Sequence, residues 1–380
     1  MVKSTKIKAL FNCTTNIVGG GVKNSAFFIK YAINSNSFEW YFAISPEVNR
    51  VLKKWNINSK KILEISPYPS RSKSSKQKLL NFLNQSNVTL VYTMAGPAYI
   101  RFPVKHIMGI SNGYITHNDW QAIFFKNNIK GVVNRTLLSI YQIYNARKAN
   151  HWFFQTQIAR DGFCKRTKVS KIFTSIIPNA FDQEFLNILS YNDYKSYNGQ
   201  IVIFSPSADH RHRGLQYIPD IAAELLKINS NLKFKFTLTL PEKSQLWKSI
   251  YKHAIRLNVA DVVINEGPYT YSESSLKFQN CSLVFIPSIL ETFSSNYLEA
   301  MAAGKPLIAN DKPFARDICK NAALYVKPEN SKQTALSIYN LIKNGQQMLH
   351  LIQEGEITIK QFPTQEERFK LIEETILSIL

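Results

Sequence analysis

The sequence predicts an α/β protein made of two domains, each a parallel sheet with helices on both faces. Three observations lead to that class. At 380 residues the chain is long for a single hydrophobic core. Strand-like and helix-like runs alternate, most regularly in the second half, which is the pattern of parallel sheets with crossover helices. A polar, turn-rich stretch at residues 183–199 separates two such series and reads as a linker. The expected domains are therefore 1–183 and 184–363, followed by a last helix at 364–380.

The first series opens with an alternating strand at residues 6–12, then Gly19, Gly20 and Gly21, then a helical run at 22–33. Residues 51–55 and 78–83 read as helical, and 88–92, 105–110 and 151–155 as buried strands. Residues 68–77 carry Arg71, Lys73 and Lys76 among Pro and Ser and read as a mobile basic loop. Residues 121–148 read as one long helix, with Gly131 a point at which it could be interrupted. In the second series, strands are expected at 201–204, 234–240, 262–266, 283–287, 306–309 and 323–326, with helices at 215–228, 246–257, 272–279 and 296–303. Ligands of such sheets bind at the carboxyl ends of the strands. Ser207, Pro268 and Glu291 all fall just past a strand, on one rim. No internal repeat has a fixed period.

Composition bounds the function. An apolar content of 45% with 12% aromatics belongs to a globular chain. No apolar run reaches the roughly 18 residues that a membrane-spanning helix needs. Lys3, Lys6 and Lys8 lead into Asn12, Thr14, Thr15 and Asn16, a first strand and not a signal peptide. Cys13, Cys164, Cys281 and Cys319 are widely spaced without a Cys-x-x-Cys pair, so neither a disulfide nor a metal framework is expected, and a reducing cytoplasm fits. The charge is uneven: residues 1–190 hold 26 Lys and Arg against 7 Asp and Glu, net +19, and residues 191–380 hold 21 against 19, net +2. The first half is thus expected to meet something anionic, such as nucleic acid, an acidic membrane or a phosphorylated lipid. A solvated basic surface is the plainer alternative.

Residues 286–309 carry the strongest chemical signal. Glu291 ends an apolar strand-like run, and Glu299 follows after seven residues, inside a short helix that stops at Gly304 and Pro306. A strand, a polar turn and a helix start can hold a phosphate on backbone N–H groups and the helix dipole. Two flanking carboxylates suit a ligand with hydroxyls on both sides of a diphosphate, as in a nucleotide-sugar. Spacing alone leaves Glu299 equally open to another role, the far end of a capping box starting at Asn296. A second constellation, residues 205–215, places Asp209, His210, Arg211, His212 and Arg213 before Gly214. Its alternative is a solvated basic turn. The His210-x-His212 spacing could suggest a metal, but the adjacent arginines would repel one, so no metal site is expected. Three consecutive glycines allow close backbone approach to a phosphate or sugar, or serve as a simple turn.

These residues resemble the retaining glycosyltransferases of the GT-B fold, family 4, whose signature is Glu-x7-Glu followed by an Ala-Met-Ala-x-Gly-Lys-Pro helix end. Glu291 to Pro306 matches it; residues 264–273, 311–319 and 322–326 resemble further family segments, together covering about residues 200–330. The first half matches through Gly19 to Gly21, the Phe154-Gln-Thr strand end and Ile177-Pro-Asn179. The resemblance implies two Rossmann-like domains whose parallel sheets face each other across a cleft: an acceptor domain at 1–183, onto which helix 364–380 packs back, and a donor domain at 184–363.

The resemblance also implies roles. Glu299 would hold the ribose hydroxyls and Glu291 those of the transferred sugar. Ser294, Ser295 and Asn296 would meet the diphosphate, Gly267 and Pro268 would lie beneath the nucleobase, and Gly20 and Gly21 would face the donor. Arg213 occupies the usual Lys position of a basic pair. The family's Arg falls near Ala208, and Arg211 is the candidate substitute. Ser294 and Ser295 replace a usual Gly and hydrophobic residue. A histidine common on the acceptor rim is missing; Ser111 and Asn112 stand in its register, with His106 and His117 nearby. The implied reaction is metal-independent and cofactor-free: sugar transfer from a nucleoside-diphosphate-sugar to a glycan hydroxyl. The basic half points to an undecaprenyl-diphosphate-linked acceptor at the cytoplasmic face of the membrane, touched through residues 121–148 and 68–77. Rival readings are a catalytically inactive GT-B binding subunit, an epimerase of related fold and a nucleic-acid-binding protein. No recognisable nucleic-acid module supports the last of these.

Overall fold

The computed structural model describes residues 6–124, 129–188 and 199–380. They form two compact units, one comprising Met1–Asn179 with Pro363–Leu380 and the other Ala180–Phe362. The units part at Asn179/Ala180, a few residues before the expected junction at 183/184. Of the linker expected at 183–199, Gln183–Ile188 is a short 3₁₀ turn and residues 189–198 lie outside the described residues.

In the first unit the described strands form a seven-stranded sheet: β1 (Ile7–Cys13), β2 (Phe38–Ile44), β3 (Ile62–Glu64), β4 (Leu90–Gly96), β5 (Lys105–Ile110), β6 (His151–Phe154) and β7 (Thr174–Ile176), in the spatial order β3-β2-β1-β4-β5-β6-β7. All neighbours are parallel. The helices are α1 (Gly19–Ala32), α2 (Pro46–Lys54), α3 (Lys73–Gln85), α4 (Trp120–Phe124), α5 (Ile129–Ala146) and α6 (Gln157–Thr167). Three features differ from expectation. Gly20 and Gly21 are the first turn of α1 rather than a loop; the helix begins at Gly19, whose φ of +57° suits a residue without a Cβ. Lys73 and Lys76, expected in a loop, lie in α3, because Ser72 caps its start by accepting from the Ser75 N–H. Gly131 lies inside α5 and does not break it. Residues 125–128, within the helix expected at 121–148, lie outside the described residues.

The second unit contains β8 (Ile201–Ser205), α7 (Ile218–Ile228), β9 (Phe234–Leu238), α8 (Gln245–Arg256), β10 (Val263–Asn265), α9 (Tyr271–Gln279), β11 (Leu283–Ile286), α10 (Ser295–Ala302), β12 (Leu307–Asn310), α11 (Pro313–Cys319), β13 (Ala323–Val326), α12 (Ser331–Lys343) and α13 (Gly345–Ile359). Its six-stranded parallel sheet runs β10-β9-β8-β11-β12-β13. All four residues of β11, Leu-Val-Phe-Ile, are buried, as a strand covered on both faces requires.

The chain then returns to the first unit as α14 (Gln365–Ser378). Thr364 and Glu367 form a reciprocal capping box at its start. Phe369 packs edge-on against Phe28 at 5.3 Å, and the buried Glu373 carboxylate accepts from Ser35 Oγ at 2.6 Å and Trp40 Nε1 at 2.7 Å. Arg368 donates to the Pro178 carbonyl at 3.0 Å. A helix distant in sequence is thus hydrogen-bonded into the core of the first unit. Among the described residues no helix is long and apolar enough to cross a membrane.

Candidate functional site

Each sheet reverses strand order once, between β1 and β4 in the first unit and between β8 and β11 in the second. Such a reversal leaves room for a ligand just beyond the carboxyl ends of the two strands. In the second unit the loops leaving that point are residues 206–214 and 287–294, which carry the basic turn and Glu291.

Backbone contacts lock these loops together. The Ile289 N–H donates to the His212 carbonyl at 2.7 Å. Gly214 has φ +74°, and a Cβ there would lie 2.0 Å from the Pro287 carbonyl oxygen, so only glycine fits. Asn310, at the end of β12, donates to the Ser288 carbonyl at 3.0 Å. Asn296 donates its side-chain amide to the Pro206 carbonyl at 2.9 Å, a scaffolding use of a residue expected at the diphosphate.

Within this frame the Arg213 guanidinium pairs with the Glu291 carboxylate, which also accepts from Ser288 Oγ at 3.1 Å. Glu291 is 7% exposed. Burial pulls the Arg213 pKa down to about 10, against the opposing influence of Tyr297, so it remains a cation at neutral pH. Arg211, on the same turn, is exposed, and its carbonyl accepts from Gln216 at 2.8 Å. The His210 and His212 rings stack at 5.2 Å. Among the described residues no group of three or more His, Cys, Asp or Glu could hold a metal ion.

The structure excludes a capping box for Glu299. Helix α10 starts at Ser295 with Ser294 as its N-cap residue, so Glu299 is the fifth helical residue and not the third. A capping box requires the third position, and here Tyr297 occupies it. α9 shows the true arrangement, with Thr270 at the cap and Glu273 at the third position. Glu299 is buried, and its charge adds to burial in raising the Tyr269 phenol above its ordinary pKa. It therefore lies by the loop after β10, where Gly267 turns the chain at φ +78° and Pro268 is exposed. Among the described residues Ser294 makes no side-chain cap, and the first turn of α10 has no acidic residue. Its amides retain the positive end of the helix dipole.

Three polar atoms in this region were not anticipated from sequence. Ser205 Oγ, Arg213 Nε and the Tyr297 hydroxyl are buried without a hydrogen-bond partner among the described residues. The signal for Tyr297 was a phenol in an otherwise apolar helical stripe.

The first-unit candidates are placed separately. His106, within β5, is a core residue: its Nδ1–H donates to the Lys148 carbonyl at 3.0 Å and its Nε2 accepts from Thr93 Oγ1 at 2.9 Å. Burial lowers its pKa to about 4. Asn112 organises the turn after β5 by accepting from the Tyr114 N–H at 3.0 Å, beside exposed Ser111. His117 is held at 3.0 Å from Thr116 Oγ1, and burial lowers its pKa to about 4. A Cβ added at Gly21 would lie 3.5 Å from the Asn16 side chain, an ordinary packing distance.

Residues 191–358 match the family model of glycosyl transferases group 1. The O-antigen chain mannosyltransferase RfbU of Salmonella typhimurium is 29% identical over 93 residues, 24% of this chain and 26% of that protein. The chain thus matches about a quarter of that relative's length. Across nearly the whole chain the fold is similar to the crystal structure of Anabaena HepE in complex with UDP and glucose, with TM-score 0.74, 16% identity and coverage of 98% of this chain and 100% of that one. It is likewise similar to sucrose-phosphate synthase of Thermosynechococcus elongatus, with TM-score 0.72, 13% identity and coverage of 99% of each chain. The architecture, two Rossmann-like parallel-sheet units, is the GT-B fold, and its second unit carries the group 1 sequence pattern.

Proposed function

We propose that the chain is a retaining glycosyltransferase of the family 4 type, moving a sugar from a nucleoside-diphosphate-sugar to a hydroxyl of a glycan acceptor in surface-polysaccharide biosynthesis. The observation that carries this reading is the pair between half-buried Arg213 and buried Glu291 beside the start of α10, at the strand-order reversal of the second unit. It sets a cation where a diphosphate would lie and a carboxylate where sugar hydroxyls would lie. The RfbU segment favours polysaccharide chemistry, and the HepE complex favours a nucleotide-sugar donor.

In this mechanism the acceptor oxygen bonds to the anomeric carbon as the bond from that carbon to the diphosphate oxygen breaks. The acceptor proton passes to the departing diphosphate on the same face. The protein supplies position and electrostatics and needs no nucleophile of its own. Arg213, with Arg211 as the outer cation, and the amides of Ser295 and Asn296 stabilise the leaving group. Ser294 shapes the turn, Glu291 orients the sugar, and Glu299 holds the ribose. Gly267 and Pro268 border the base, and Gly20 and Gly21 lie on the acceptor-domain side with Ser111, Asn112 and His117. No cofactor or metal takes part in the proposed chemistry. The acceptor is lipid-linked, and the basic first unit holds the protein at the cytoplasmic face of an anionic membrane, where each Lys or Arg contributes about 1 kcal/mol.

Thermal shift against UDP-, GDP-, ADP- and dTDP-sugars tests the donor assignment. One family of nucleotides should raise the melting temperature of wild type and fail to do so for Glu299→Ala. The absence of any shift from all four overturns the reading.

A further inference from the structure

The two oxygens of the Glu291 carboxylate are not used alike. The Arg213 guanidinium and the Ser288 hydroxyl, the latter at 3.1 Å, both bond to Oε1. Among the described residues Oε2 takes part in neither bond, so the carboxylate has one held oxygen and one open to a ligand. Ser288 is itself fixed. It is 1% exposed, lies two residues beyond the end of β11, and its carbonyl accepts from the Asn310 side-chain amide at 3.0 Å. Asn310 ends β12 and is equally buried. Groups from β12 and from the loops after β11 and β8, three neighbouring strands of one sheet, thus hold one carboxylate oxygen.

A single donor would not fix this carboxylate. The terminal torsion of a glutamate is broad and two-fold, so its plane can turn about a lone contact. Two donors from different loops on the same oxygen define the plane, and with it the direction of Oε2. The two donors differ in one respect. Arg213 is a partly exposed cation beside the start of α10, and an incoming diphosphate competes for it. Ser288 is enclosed, and among the described residues its hydroxyl has no other acceptor. When the guanidinium turns towards a phosphate, the Ser288 bond still holds Oε1.

We propose that Ser288 is a positioning residue for sugar transfer: its hydroxyl holds Glu291 Oε1 so that Oε2 faces the donor sugar while Arg213 is drawn to the diphosphate. The proposal rests on the reading of Glu291 as the residue that orients the transferred sugar. It goes beyond that reading by assigning the sugar-facing role to one oxygen, and the upkeep of that oxygen to a residue that touches no substrate. It also limits the donor. An ionised carboxylate only accepts, so the sugar must present a free hydroxyl to Oε2.

The test measures kcat and KM of the full chain for the nucleotide-sugar that raises its melting temperature. It also measures Ki for the matching nucleoside diphosphate, which has no sugar for Glu291 to orient. Ser288→Ala should lower kcat/KM by about tenfold, mostly in kcat, the loss expected for one hydrogen bond to a charged group, and leave Ki within about twofold. Ser288→Cys keeps the volume and weakens the donor; it should lose nearly as much, and it carries the comparison if alanine unfolds the loop. In a Glu291→Gln background Ser288→Ala should cost less than about twofold, because the two residues act as a unit. Wild-type kcat/KM in the alanine and cysteine variants overturns the proposal, as does a tenfold loss that recurs in the Glu291→Gln background. A rise in Ki equal to the loss in kcat/KM shows that Ser288 supports the whole loop and also overturns it. In each of these cases wild-type turnover leaves the glycosyltransferase reading standing. Wild type that releases no nucleoside diphosphate from any nucleotide-sugar overturns that reading, and the proposal with it.

Discussion

Arg213 and Glu291 form an ion pair between two loops that leave adjacent parallel strands, β8 and β11. Glu291 is almost fully buried, so removing one partner leaves the other charge poorly solvated. Breaking a buried pair from one side costs about 3–5 kcal/mol, whereas replacing both partners by apolar residues costs much less. Glu291→Leu and Arg213→Met should each lower stability in urea unfolding by about 3 kcal/mol. The double variant should lose clearly less than the sum. Additive losses would mean that the pair does not couple.

Gly214→Ala tests the seam between the loops. The φ of +74° and a Cβ 2.0 Å from the Pro287 carbonyl both oppose a side chain. A left-handed alanine costs about 1–2 kcal/mol before any clash is added. The melting temperature should fall by several degrees, and donor binding should weaken because Arg213 is the preceding residue. Gly199→Ala, with open space around its Cβ, is the control and should do neither.

Tyr297→Phe should stabilise the protein. The hydroxyl is buried without a partner among the described residues, and leaving such a group unpaired costs about 1–3 kcal/mol. An increase of about 1 kcal/mol in unfolding free energy is expected. A loss of similar size would show that the hydroxyl is bonded.

The first unit should lose stability as the pH falls from about 6.5 towards 4. His106 is neutral in the fold with a pKa of about 4, against 6.5 in the unfolded chain. Over that interval the unfolded state binds the additional proton, so stability is fully present above 6.5 and is lost on acidification. The shift corresponds to about 3 kcal/mol. His106→Gln should lower the slope of unfolding stability against pH by about half across this range, because His117, lowered to about 4 as well, keeps its share. An unchanged slope would contradict the assignment.

Much of the second unit was legible because its signals are local. The apolar strand at 283–287, the Glu291 to Glu299 spacing and the Gly304–Pro306 stop can be read without knowing any partner in space. Non-local features were not legible. Whether Glu299 closes a capping box depends on where α10 starts, and the helix starts at Ser295 and not after a cap at Asn296. The need for glycine at position 214 comes from Pro287, distant in sequence, whose carbonyl oxygen a Cβ would meet at 2.0 Å. In the first unit, Ser72 and its cap turn an expected loop into helix, and three glycines that read as a loop begin α1.

The most direct test is steady-state release of nucleoside diphosphate from the donor sugar identified by thermal shift, comparing wild type with Glu299→Ala and Arg213→Ala. Glu299→Ala should raise KM by about tenfold or more with kcat little changed, because it removes a binding contact. Arg213→Ala should lower kcat by about a hundredfold with a smaller effect on KM, because it removes charge stabilisation that develops in the transition state. Identical kinetic parameters for all three proteins would contradict the assignment of this site to the donor.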